Sequence, residues 1–344
     1  MGKIESMAGF DGNSHASAPG VNPRCADPIF IHGILPRSGT NFLWDLLRLH
    51  PDCARAREPV HEDLFLEHSD RLVHFVHDVC AAWDPMWGSF ADLPEQLSAH
   101  LGDGLLSFLR VDAHRRLVTK SPSVARLHQF FAFFPSARLL ILVRDGRSVV
   151  HSATRSLARD WDFERACREW AKAARTIRDF QQAESERSNR WRIVRYEDLV
   201  EDTERQLRSI LEFLALDVHR YDFDAARQLP VRGSSTFGRQ DGKTHWKPVA
   251  KDETFAPTER WRSWPADQVR RFEWLAGAEQ VALGYPVSHD RFSLAATAAH
   301  RLRDWRWRSD RQARLIVYRT RGRLALRTRA TRLLHAMRAR LAAR

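Results

Sequence analysis

Two short apolar runs constrain this chain most, because each passes straight into a polar turn and then into a helix-periodic stretch. The first is Pro28-Ile-Phe-Ile-His-Gly-Ile-Leu35, followed by Pro36-Arg-Ser-Gly-Thr40. After it, Phe42, Leu43, Leu46, Leu47 and His50 share one helical face until Pro51 stops the helix. The second is Arg138-Leu-Leu-Ile-Leu-Val143, followed by Arg144-Asp-Gly-Arg147 and a helix from near Ser148. Continuous apolar runs of this length suit strands buried on both faces. Further strands are expected at Arg116–Thr119 and Trp191–Arg195. Helices are expected over 163–180, over 207–214 behind a cap at Asp202 or Thr203, and over 265–283. Strands alternating with helices predict an α/β fold, a central parallel sheet flanked by helices on both faces. Ligands of such sheets bind outside the carboxyl ends of the strands, where both polar turns lie.

Composition divides the chain in three. Residues 1–26 are polar and read as a disordered lead; 27–290 carry the alternating pattern; 291–344 form an Arg-rich, amphipathic helical tail. The formal net charge is +12, yet residues 301–344 alone contribute +13, from 15 Arg against Asp304 and Asp310. The body is therefore near neutral, which excludes a basic nucleic-acid-binding domain by composition. Cys25, Cys53, Cys80 and Cys167 are scattered without a C-x-x-C pair, so neither a zinc site nor a redox motif is expected. The lead has no apolar signal region and no run of about 18 apolar residues occurs, so the expected location is cytoplasmic.

The first turn has the makings of an anion cradle. A strand feeding a Gly-containing turn and a helix start points backbone N–H groups at a bound anion. Arg37 adds a bidentate fork for phosphate oxygens, and Ser38 and Thr40 add hydroxyl donors. It is P-loop-like but not a Walker A loop, because Gly39 is followed by Thr40 and Asn41 without lysine. In the second segment, Arg144 leaves a strand end and Ser152 lies eight residues on, about two helical turns away. Both can converge on a further phosphate. A P-loop kinase acting on a small hydroxylated substrate remains an alternative, with Asp145 as its metal-holding acid.

Together the two segments resemble the 5′-phosphosulfate loop and the 3′-phosphate motif of sulfotransferases that use 3′-phosphoadenosine-5′-phosphosulfate (PAPS). The similarity extends to Lys120-Ser-Pro122, Arg195-Tyr-Glu-Asp-Leu199, and Trp264 through Leu283-Gly-Tyr285, covering about residues 28–290. It is closer to the protein-tyrosine and bacterial branch than to the cytosolic phenol branch. The resemblance implies that Arg37, Ser38, Gly39, Thr40 and Asn41 hold the phosphosulfate end, and Arg144 and Ser152 the 3′-phosphate. It places Tyr196 near the adenine. It also implies PAPS as cosubstrate, 3′,5′-ADP as product, no metal, and a hydroxylated small-molecule, lipid or carbohydrate acceptor.

The phenol branch carries a catalytic His two residues after its lysine. Here Pro122 occupies that place, and proline has no proton to move. Glu58, 21 residues after Arg37, matches the base of the tyrosine-sulfating branch; His61 and Glu62 are rivals. Lys120 and Arg37 are the cations expected to stabilise the leaving phosphate. In the polar stretch from Gly233 to Lys251, Ser234, Ser235 and Arg239 are candidates to close over the nucleotide, and Lys243 or Lys247 to reach the phosphosulfate. Leu315, Tyr318, Leu326, Leu333, Met337 and Leu341 form a rough stripe among the tail arginines. That pattern suits an anionic membrane surface or a protein partner, and a non-catalytic membrane-binding protein is the other alternative.

Overall fold

The computed structural model describes residues 27–313, apart from Pro85, Trp87, Phe90, 157–160, 231–256 and Asp290. Five strands make one all-parallel sheet: β1 (Ile29–Gly33), β2 (Cys53–Arg55), β3 (Arg116–Ser121), β4 (Arg138–Val143) and β5 (Trp191–Arg195). Their order is β2-β3-β1-β4-β5. Register pairs Ile31 with both Lys120 and Leu140, and Val143 with Arg195. The apolar runs become β1 and β4 because both sheet faces are covered. On one face Phe30, Leu117, Leu139 and Ile141 join a core with Phe130, Phe134 and Trp170. On the other, Ile29, Ile31, Val118, Leu140 and Leu142 meet Leu43, Leu46, Leu207 and Ile210.

Helix α1 (Thr40–Leu47) follows β1, and α5 (Gly146–Ser156) follows β4. The helix expected near Ser148 thus starts at Gly146. A side chain there would strike Trp170 and Phe272, each within 2.8 Å of the Cβ position. Helix α6 (Phe163–Ala183) is capped by the Asp162 carboxylate, and α8 (Thr203–Phe213) by Asp202, each accepting from a backbone N–H three residues on. Helices α2 (Phe65–Ala82) and α3 (Leu93–Leu109) link β2 to β3, and the short α4 (Phe130–Phe133) precedes β4. Helix α7 (Tyr196–Glu201) continues β5; α9 (Phe223–Arg227) and α10 (Ala266–Ala282) come later. The chain then turns back as a helix over 294–313.

From β1 the chain moves to β2 on one side of the sheet, whereas from β4 it moves to β5 on the other. The point where the winding reverses therefore lies between β1 and β4, where a ligand crevice is expected. Among the described residues no helix is long and apolar enough to cross a membrane. The lead 1–26 and the apolar stripe from Leu315 onward lie outside the described residues.

Candidate active site

The two polar turns meet at this reversal point. Ile34 N–H extends the ladder to Leu142 carbonyl (2.9 Å), and Ser38 N–H closes a turn on Leu35 carbonyl (3.2 Å). Arg37 and Gly39 both take left-handed backbone, φ 80° and 103°. At Gly39 a Cβ would lie 2.4 Å from the Tyr196 ring, so glycine is required for space as well as conformation. The Tyr196 ring lies against this glycine, and the Arg144 guanidinium stacks over it at 4.3 Å.

Arg37 ties the motifs together. Its Nε donates to Ser152 Oγ (3.1 Å), and Arg144 donates to the Arg37 carbonyl (2.7 Å). Arg144 also donates to the Pro257 carbonyl at 2.6 Å, and Ser148 Oγ to the Thr258 carbonyl at 2.6 Å. These contacts bring the 257–263 segment over the start of α5 and carry in Arg260, for which no local motif exists. Arg144 and Arg260 each push the Arg37 guanidinium down, but burial is the largest cause, and together they bring it to about 10. Burial and Arg144 lower Arg260 in turn. Guanidiniums gathered in a partly dry pocket repel one another, and a polyanion relieves that repulsion. Among the described residues two donors here are buried without a hydrogen-bond partner, Arg144 Nε and Ser38 Oγ, the latter turned in against Gly33. Thr40 is buried beside them and Asn41 partly buried.

His151, on α5, faces the same cations. Burial, then Arg155, Arg260 and Arg144, lower it to about 4. Trp264 Nε1 donates to its Nδ1 (3.0 Å), a bond only the unprotonated nitrogen can accept.

Asp145 does not stand ready for a metal. Arg147 grips its carboxylate at 2.6–3.2 Å through Nε and the terminal nitrogen, and Gln280 donates to Oδ1 at 2.9 Å. Gly146 N–H returns a bond to Gln280 Oε1 at 3.1 Å. The carboxylate thus locks α10 to the turn, which removes the acid that a kinase reading requires. Among the described residues no group of three or more His, Cys, Asp or Glu could hold a metal ion. Glu197 braces the same turn from α7. It accepts from Asp145 N–H (3.1 Å) and Tyr285 OH (2.8 Å), and burial raises its carboxyl.

On the other side of β1, Lys120 is buried at the end of β3. Its Nζ is 3.2 Å from Glu62 Oε1 and 5.9 Å from the Trp44 ring centre. Glu62 is held there by its neighbour: Asp63 N–H donates to the Lys120 carbonyl (3.1 Å), and Thr119 Oγ1 donates to the Asp63 carboxylate (2.8 Å). Glu58 lies farther out, past the edge strand β2, where it ion-pairs with exposed Arg55. The structure thus joins Arg37, Ser38, Gly39, Arg144, Ser152 and Tyr196, brings Glu62 rather than Glu58 to Lys120, and adds Arg260. Ser234, Ser235, Arg239, Lys243 and Lys247 lie outside the described residues.

The chain is similar in sequence to known proteins. The protein-tyrosine sulfotransferase of Drosophila melanogaster is 28% identical over 198 residues, 54% of this chain and 37% of that protein. Protein-tyrosine sulfotransferase A of Caenorhabditis elegans is 27% identical over 224 residues, 61% of this chain and 55% of that one. The chain therefore spans 37% and 55% of the lengths of these two curated relatives. Among solved structures, the sulfotransferase domain of a Synechococcus olefin synthase is 24% identical, with a TM-score of 0.47, over 76% of this chain and 96% of its own. A family model described as the sulfotransferase family matches residues 28–220, more than half of the chain, and the chain belongs to that family.

Proposed function

We propose that this protein transfers a sulfuryl group from PAPS to the hydroxyl of a small-molecule, lipid or carbohydrate acceptor. The observation that supports it most is the meeting of Arg37, Ser152 and Arg144 at the winding reversal between β1 and β4. Two phosphate-bearing ends need two cationic groups at a fixed separation, and one turn from each unit supplies them. The residues present fit PAPS: a left-handed glycine turn at a helix start, buried donors on Arg144 and Ser38, and the Arg144 guanidinium stacked on Tyr196. PAPS supplies an activated sulfur–oxygen bond to its 5′-phosphate.

In this reading the acceptor oxygen bonds to sulfur while the sulfur–phosphate oxygen bond breaks, giving a sulfate ester and 3′,5′-ADP. Arg37 and Lys120 set positive charge where the departing phosphate oxygen gains negative charge. Tyr196 supports Arg144 from beneath and borders the nucleotide. The acceptor's proton passes to a carboxylate on the segment after β2. Glu58 is the base of this proposal, and its surface pair with Arg55 opens as acceptor binds. A second reading takes Glu62, because its carboxylate already touches Lys120.

Incubating the protein with PAPS and a panel of hydroxyl compounds, with 3′,5′-ADP release as the signal, tests the activity. Glu58→Gln should lower kcat by about 10²–10⁴-fold without changing 3′,5′-ADP affinity. If Glu62→Gln does so and Glu58→Gln does not, Glu62 is the base. Release from no compound in the panel counts against a hydroxyl acceptor.

A further inference from the structure

Among the described residues, the helix over 294–313 is fixed to the body along one side. It opens at Ser293, whose hydroxyl accepts from Ala296 N–H at 3.2 Å. Asp304 accepts from Arg271 (2.6 Å), Arg168 (2.6 Å) and Trp274 Nε1 (3.1 Å). The His300 ring stacks on Trp274 at 5.0 Å, and Arg303 pairs with Glu164 at 2.9 Å. Arg271 is fully buried and also grips Glu164 with two bonds of 2.7 Å. A charge network held at this depth fixes the roll of the helix about its axis, so its opposite side has a defined outward direction.

That outward side is apolar over 294–305 and ends in Ser309 and Gln312. Leu294, Ala298, Leu302 and Trp305 follow one another at helical spacing, within about 80° of arc and roughly opposite His300, Asp304 and Trp307. Leu294 is 91% exposed, Trp305 64% and Leu302 49%. Exposed arginines border the stripe on both sides, Arg301 and Arg308 along one flank and Arg306 along the other. Asp304, one of the two acids in 301–344, is turned inward against Arg271.

We propose that this face docks the protein on an anionic lipid surface, with Trp305, Leu302 and Leu294 entering the interfacial layer and the arginines meeting lipid phosphates. Charge complementarity selects the occupant, because residues 301–344 carry 15 Arg and two acids. Apolar entry with flanking arginine is the pattern of helices that lie in a membrane interface. Nucleic acid satisfies the arginines but leaves two leucines and a tryptophan facing phosphate and water.

Sedimentation of the full chain with phosphatidylcholine vesicles, with and without phosphatidylglycerol, tests this. The chain should sediment only with the anionic vesicles, and less as salt rises. Leu302→Asp with Trp305→Asp should cut that partitioning by about tenfold or more, since both lost groups are apolar area buried at the interface. Affinity for 3′,5′-ADP should be unchanged in the double variant, which also shows that it folds. Vesicle binding unaltered by the double variant overturns the proposal. So does failure of wild type to bind anionic vesicles, whether it binds duplex DNA instead or forms a dimer that the double variant dissolves.

Discussion

Two clusters of arginine in this molecule carry opposite electrostatic signatures. In the crevice between β1 and β4, burial and the proximity of Arg144 and Arg260 hold Arg37 down at about 10. Beneath the helix over 294–313, Glu164 and Asp304 raise Arg271 above the usual arginine value despite its burial. The difference is one of assigned partners. A guanidinium that the fold matches with carboxylates is structural, and its charge is neutralised inside the protein. Guanidiniums that the fold presses against one another in a buried crevice repel, and a bound polyanion relieves that repulsion. Both clusters look alike in composition, so only their neighbours distinguish a scaffold from a binding site.

The largest test of this contrast removes a matched cation. Arg271→Ala leaves Glu164 and Asp304 with only the less buried Arg168 and Arg303 as cationic partners, and should cost up to about 3–5 kcal/mol of stability. Urea unfolding should show that loss, while the folded fraction keeps its 3′,5′-ADP affinity. The same change losing affinity per folded molecule would merge the two clusters into one functional unit.

Acid sharpens the contrast next. His151 has its folded pKa lowered to about 4 by burial and the surrounding arginines. The unfolded chain therefore binds a proton near pH 6.5 that the folded chain refuses, so stability falls as pH drops through that window and the loss is complete near pH 4. It is on the order of 3 kcal/mol at its limit, and His151→Gln should flatten that part of the profile. Because cations cause part of the shift, 3′,5′-ADP should raise the His151 value, which an NMR titration reads.

Arg260 is the outer member of the crevice cluster, carried in by the 257–263 segment. Arg260→Ala should weaken 3′,5′-ADP binding by about 1–2 kcal/mol, seen in calorimetry, with melting temperature nearly unchanged. On folding, by contrast with its effect on turnover, Glu58 should matter little, because its pair with Arg55 is exposed. Glu58→Gln should alter stability by less than about 1 kcal/mol in urea unfolding. A larger loss would make that pair part of the scaffold and count against its opening for an acceptor.

How much of this is legible in the sequence follows from the range of each interaction. β1, β4 and their helices are readable because burial on both faces writes a continuous apolar run, and Gly39 and Pro36 punctuate the turn locally. β2 is not, since three residues pairing with β3 across more than 60 positions carry no periodic signal. Helix α2 is hard to read because only Leu66, Ser69 and Val76 are buried along its 18 residues. Asp145 suggests a metal ligand from its place after a strand; its partner Gln280 is 135 residues away. Arg260 and the Asp304 network are hidden for the same reason. Arg37, Arg144 and Ser152 are legible because each lies in a turn after a strand or two turns into the helix that follows, and because those two segments together resemble the sulfotransferase motifs.

In the proposed function the β1–β4 crevice is a metal-independent site for the 3′,5′-diphosphate of the nucleotide. Calorimetric titration of the full chain with 3′,5′-ADP in the presence of chelator tests it most directly. Wild type should show one site, and both Arg37→Ala and Arg144→Ala should lose binding while still melting cooperatively. Binding that survives either substitution, or that appears only for ATP with magnesium, would contradict it.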